Sequence, residues 1–205
     1  MNTFLVTDTH DSLGLAIIKN LLPAGHSVIA APSHDNNIDN YKSLKKKPLA
    51  IIPWNKKSPI SAKNVVLQGI NKFSGIDDAI LILSPDAPAG TITSAKYIDI
   101  ENSIDIWLKG TLFILRELLV YFSTQQHGSL SCIQYDYEIP ASPINDICIQ
   151  GISLFLEQCA AEWKNSNIHI NRFYSRSADV SAFADFITST IKEKCYKSSG
   201  KLFRF

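Results

Sequence analysis

Thr3-Phe4-Leu5-Val6-Thr7-Asp8-Thr9-His10-Asp11-Ser12-Leu13-Gly14 opens the chain with a strand, a turn and the start of a helix. Thr3 to Thr7 is β-rich and apolar on both faces, the pattern of a parallel strand covered by helices above and below. Ser12 to Leu22 then carries apolar residues at helical spacing, and Asp8, Asp11 and Ser12 lie between the two as residues suited to capping a helix N-terminus. The pattern recurs along the whole chain.

Further strands are expected at Ser27 to Ala31, Leu49 to Pro53, Ala79 to Ser84, Ser129 to Tyr135, Ile168 to Phe173 and Lys201 to Phe205. Helical patterns fall at Ser61 to Phe73, Asp99 to Phe122, Ile144 to Trp163 and Asp179 to Lys194. The alternation predicts a doubly wound α/β fold, a parallel sheet of about seven strands with helices on both faces. The 205 residues, 45% apolar and 19% charged, are expected to form one domain over 1–205. The polar, lysine-rich segment Asn36 to Lys47 reads as loop or poor helix, and its Lys45-Lys46-Lys47 run as a solvated face.

Composition excludes several classes of function. Twenty Lys and Arg nearly balance nineteen Asp and Glu, so no net field points to nucleic acid, and Lys197 to Phe205 reads as a terminal strand. The longest apolar runs are broken by Arg116 and Glu117, well short of the roughly 20 residues a membrane span needs. Met1 leads at once into Phe4-Leu5-Val6 with no signal-like pattern, so a cytoplasmic location is expected. Cys132, Cys148, Cys159 and Cys195 form no C-x-x-C pair and read as buried thiols. His10, His26, His34, His127 and His169 lack metal-ligand spacing, and Ser153 lacks the G-x-S-x-G context of a hydrolase nucleophile.

In a doubly wound sheet the first strand-to-helix turn is where a dinucleotide's diphosphate would sit, on helix N-terminal amides. Here the turn Thr7-Asp8-Thr9-His10-Asp11-Ser12-Leu13-Gly14 and the helix end at Ala24-Gly25 resemble the short-chain dehydrogenase/reductase family, whose turn is T-G-x-x-x-G-I/L-G. Thr7, Leu13 and Gly14 match; Asp8 and Ser12 replace the first two glycines. The resemblance continues along most of the chain. Ala79 to Ala87 looks like the family's fourth strand and its N-N-A-G with only the alanine retained, and Trp107-Leu108-Lys109-Gly110 is similar to N-x-x-G with Trp107 at the catalytic asparagine. Gly128 to Tyr135 resembles G-S-I-V-N-I-S-S with Tyr135 at the catalytic serine, and Ala160-Ala161-Glu162-Trp163 resembles the end of the catalytic helix. Counting back puts Asn145 and Ile149 at the Y and K of Y-x-x-x-K. No register between Glu138 and Trp163 finds either residue.

The resemblance implies a Rossmann-like fold, NAD(P) chemistry and a tyrosine acid/base whose pKa is lowered by lysine and nicotinamide charge. Ile149 supplies no charge and Asn145 trades no proton at neutral pH, which removes a step worth roughly 10²- to 10⁴-fold. Tyr135 or Tyr137 as a displaced acid has no lysine partner at suitable spacing; an aromatic filling the cleft is the alternative. Asp8 puts a side chain and a carboxylate where phosphate must approach, Asp11 adds a second charge, and Trp54-Asn55 replaces the family's adenine-contacting D-V or D-L. Ala31-Pro32-Ser33-His34 offers neither an acid for a ribose nor an arginine for a 2′-phosphate. The family's substrate lid is reduced, since Asn171 to Ser177 runs almost directly into Asp179.

Two helical segments are apolar on more than one face, the first through Leu108, Leu112, Leu115 and Leu119, the second through Ile152, Phe155 and Cys159. One sheet face covers only one side of a helix, and in the resembled family these two helices form a dimer interface. The expectation is therefore a catalytically silent protein without a cofactor or metal. It would act as a homodimer or as the inactive subunit beside an intact reductase of that family. A degenerate NAD(P)-dependent oxidoreductase and a ligand-sensing regulatory module remain as alternatives.

Overall fold

The computed structural model describes residues 1–9, 11–33, 41, 44, 48–85, 90–136 and 142–205. His10, His34, the Lys45–Lys47 run, Asp86, Ala87 and Tyr137 lie outside the described residues. Seven strands form one parallel sheet: β1 (Thr3–Thr7), β2 (Ser27–Ala31), β3 (Leu49–Ile51), β4 (Asp78–Leu83), β5 (Gly128–Tyr135), β6 (Ile168–Ser175) and β7 (Leu202–Arg204). Their order is β3-β2-β1-β4-β5-β6-β7. The order reverses between β1 and β4, which opens a crevice at the carboxyl ends of those strands.

Among the described residues, six α-helices cover both faces: α1 (Ser12–Leu21), α2 (Pro59–Phe73), α3 (Tyr97–Ser103), α4 (Gly110–Gln125), α5 (Pro143–Glu162) and α6 (Val180–Lys194). β1, β2 and β4 are buried along their whole length, as expected of strands sandwiched between helices. One core layer joins the sheet to α2, α4 and α5 through Leu81, Cys132, Leu115, Phe122, Ile152 and Leu156. The other joins it to α1 and α6 through Val6, Ile17, Ile133, Phe173 and Phe183.

Local chemistry sets the helix starts. Asp11 caps α1 by accepting from the Gly14 N–H at 2.8 Å, Ser58 caps α2 with Pro59 at its first position, and Asp179 caps α6 through Ala182 N–H. The long helix expected from Asp99 to Phe122 begins at Tyr97 and contains a π-helical stretch, Ile104–Lys109, between α3 and α4. Such wide turns shift the side-chain register along a helix. Here Trp107 is thereby buried. Only Arg176 to Asp179 separate β6 from α6, so the connection is four residues long.

At the amino end of the sheet, Asp78 is almost wholly buried and accepts from the Tyr196 hydroxyl at 2.6 Å and from Asn2 Nδ2 at 2.9 Å. Burial outweighs these hydrogen bonds and pushes the Asp78 pKa up to about 6 from 3.8. The folded chain thus holds this proton more tightly than the unfolded one, so the group favours folding below the unfolded value and that contribution is lost as pH rises through about 6. The displacement corresponds to about 3 kcal/mol. Asp78→Asn is expected to flatten the pH dependence of stability between these two values, read by urea unfolding at a series of pH. A variant that tracks the parent at every pH would remove Asp78 as the source.

Candidate functional site

The crevice at the order reversal is lined by the β1–α1 turn, the segment after β3 and the π-helical stretch before α4. Thr7 ends β1 with its hydroxyl accepting from the Ile82 N–H at 3.2 Å, which ties the turn to β4. Asp8 follows with φ of 51°, a left-handed conformation that glycine adopts freely and Asp tolerates, and its N–H donates to Ala31 O. Gly14 lets α1 pack onto this turn, since a Cβ there would lie 2.6 Å from Thr9 Cα.

Asp8 is not a helix cap, as its place in the sequence suggested. Its Oδ1 lies 2.7 Å from Nζ of Lys56, and both side chains are about 5% exposed or less. The Lys56 ammonium also sits 3.4 Å from the centroid of the Trp107 ring and 5.8 Å from that of Trp54. One buried cation therefore joins the turn after β1, the loop after β3 and the helix that follows β4. Gly110 permits the approach, because a Cβ there would meet Lys56 O at 2.7 Å.

Two aromatic side chains are buried in the same region. Trp54 is buried just after β3, and Tyr41 is fully buried with its hydroxyl donating to Thr9 O at 2.7 Å. Of the three residues expected to cap α1, only Asp11 does so; burial pushes its carboxyl up to about 6 despite the bond from Gly14. Ser12 is an exposed first residue of the helix.

The positions matched to the family's proton relay are not brought together. Tyr135 packs on the α6 side of the sheet, stacked on Phe183 at 5.7 Å, and its hydroxyl donates to Ser177 O at 3.0 Å. Asn145 and Ile149 are buried on α5, which lies on the opposite face. Tyr135 is an aromatic packed in the α6-side core with its hydroxyl engaged.

Leu115, Ile152 and Cys159, assigned by the sequence to an association surface, are buried in the core between α4, α5 and the sheet. Helix periodicity alone does not say which of two apolar faces meets the sheet. Leu108, Leu112, Leu119 and Phe155 are half-buried at the edge of that core. The apolar residues left most exposed on these helices are Ile147, Leu154 and Val120. Ile147, Gly151 and Leu154 form one stripe along α5 at spacings of four and three.

Lys56 and Tyr41 escaped the sequence reading. A charge argument could have found Lys56: two carboxylates in a turn that closes on the core require a nearby cation, and Lys56 lies in the segment that follows the third strand. Tyr41 sits in a segment too polar for any periodic signal. Among the described residues no group of His, Cys, Asp and Glu could hold a metal, and no helix is long and apolar enough to cross a membrane.

No family model matches the sequence, and no curated protein matches it. Solved structures match it closely in shape. A short-chain dehydrogenase/reductase from Mycobacterium ulcerans superimposes with a TM-score of 0.87 at 13% identity, over 99% of this chain and 87% of that one. A short chain dehydrogenase from Mycobacterium smegmatis gives 0.87 at 14% identity over 99% and 90%, and a 3-ketoacyl-ACP reductase from Sinorhizobium meliloti gives 0.87 at 13% over 99% and 96%. The chain therefore has the Rossmann-like fold of the short-chain dehydrogenases/reductases, with a buried Lys56–Asp8 pair at its strand-order reversal.

Proposed function

We propose that the protein is a catalytically silent relative of the short-chain dehydrogenases/reductases and acts by association, as a homodimer or as the inactive subunit beside an intact reductase of that fold. The observation that carries this reading is the Lys56–Asp8 pair buried against Trp107 at the turn where a dinucleotide would bind. A diphosphate entering there would have to draw Lys56 away from Asp8. The exposed carboxylate would then repel it by roughly 4 kcal/mol at 4 Å and an effective dielectric of 20. Asn145 and Ile149 supply no proton relay, and Tyr135 faces away from α5.

Association draws support from the stripe Ile147, Gly151 and Leu154 on α5, with Val120 exposed on α4. An exposed apolar stripe with a glycine at its centre suits close contact with a second helix. Either a second copy or a related chain could supply that helix.

NADH and NADPH are expected to show no dissociation constant below about 10 μM by calorimetric titration. Hydride transfer should be undetectable across a panel of carbonyls and alcohols with protein freed of host reductases. Tight nucleotide binding, or turnover that co-purifies with the chain, would overturn the silent reading. Association is checked separately by light scattering at tens of micromolar and by co-purification with an intact reductase from the same source. A monomer that captures no such reductase and leaves its activity unchanged removes the proposed role.

A further inference from the structure

We propose that a second site, a groove between α5 and the β6–β7 half of the sheet, binds a small bipolar molecule carrying a carboxylate and an ammonium or amide donor, as an amino acid does. The groove encloses about 310 Å³. It opens at the carboxyl ends of β4 to β7, where ligands of open α/β sheets collect. None of Lys56, Trp107, Tyr135, Asn145 or Ile149 lines it, so it is distinct from the crevice at the order reversal.

The residue pattern of the sheet sets this face apart. On the α5 side of β6, Ile168 and Ile170 are buried in the core, but the same face continues with Arg172 and Tyr174, both half-buried. The register extends this polar surface sideways: Tyr174 lies between Gln134 of β5 and Arg204 of β7. A parallel sheet face covered by a helix reads apolar to its end. Here it changes from apolar to polar midway along β6, at the mouth of the groove.

Its cations are set in place. The Arg204 and Arg176 guanidiniums lie 5.3 and 5.8 Å from the Tyr174 ring centroid, and Arg172 is tied to Glu157 at 2.6 Å. Arg204 makes no ion pair among the described residues. Planar guanidiniums held beside a ring present their remaining N–H groups in the fork that matches a carboxylate.

An acceptor faces the same space. Asp136, just after β5, receives Gln134 Nε2 on Oδ2 at 2.9 Å, with Arg176 at 3.9 Å. Its other oxygen, Oδ1, is buried, and the Tyr174 side chain also hydrogen-bonds this carboxylate. A carboxylate offers about four acceptor positions, so a ligand N–H would still find one there. The three arginines are balanced by Asp136, Asp146 and Glu157 beside them. A neutral bipolar ligand fits this balance better than phosphate, which would meet the carboxylates unpaired.

The test is calorimetric or NMR titration of the full chain with the proteinogenic amino acids, each to about 10 mM in phosphate-free buffer. At least one is expected to bind with a dissociation constant below about 1 mM. The Arg176→Ala/Arg204→Ala variant, its fold checked by circular dichroism, should weaken binding by about tenfold or more. The same acid without its amine should also bind about tenfold more weakly to the parent, and Asp136→Asn should remove that preference. If Asp136→Asn does not fold, the comparison of the two acids on the parent decides the point. No saturable binding by any amino acid, parent-like binding by the double variant, equal binding of the acid without its amine, or inorganic phosphate binding as tightly as the best amino acid would each overturn the assignment.

Discussion

Lys56→Met is expected to lower the unfolding free energy by about 3–5 kcal/mol, because it leaves the Asp8 carboxylate buried without its cation. Asp8 and Lys56 are both about 5% exposed or less, and Trp107 and Trp54 border the ammonium, so little water can take its place. Methionine keeps most of the side-chain volume, which separates the charge from packing. Pairing it with Asp8→Asn should recover most of the loss. Asn tolerates the left-handed backbone at position 8 and needs no counter-ion. Urea unfolding of parent, single and double variants closes the cycle. Independent, additive losses would mean that the pair does not act as a unit and that the crevice is closed by the aromatics alone.

A charge placed on the exposed stripe of α5 should act differently from one placed in the core. Ile147→Asp and Leu154→Asp are expected to leave the isolated fold within about 0.5 kcal/mol, since both positions are more than half exposed. In an assembly that buries the stripe, either change should weaken association by about 2 kcal/mol or more. Sedimentation velocity across a concentration series reads the difference directly. Leu115→Asp is instead expected to unfold the chain, because Leu115 is wholly buried between α4 and the sheet. An assembly that survives both stripe variants would place the contact elsewhere or remove the associative role.

The order of elements was legible from the chain alone. Fully apolar runs such as Ala79 to Leu83 require cover on both faces, and the intervening helical patterns supply it. These repeating patterns are local, so they survive without any knowledge of contacts. The absence of tyrosine and lysine from Glu138 to Trp163 was equally plain, as an absent residue type needs no geometry. The turn at Asp8 was correctly singled out as unusual, but its chemistry was not.

What the chain could not reveal was which groups meet. Lys56 is 48 residues from Asp8, and their encounter depends on β3 and β1 placing their carboxyl ends beside one crevice with β2 between them. The side of α4 and α5 that meets the sheet was likewise undecided while both faces were apolar; packing buried Leu115 and Ile152 and left Ile147 and Leu154 outside. Residue type and periodicity determined the strands, the helices and the absence of tyrosine and lysine between Glu138 and Trp163, because each is encoded within a few neighbouring positions. The buried ion pair, the exposed stripe and the polar groove beside α5 were decided only in the tertiary structure, where burial and pairing depend on distant segments brought together across the sheet.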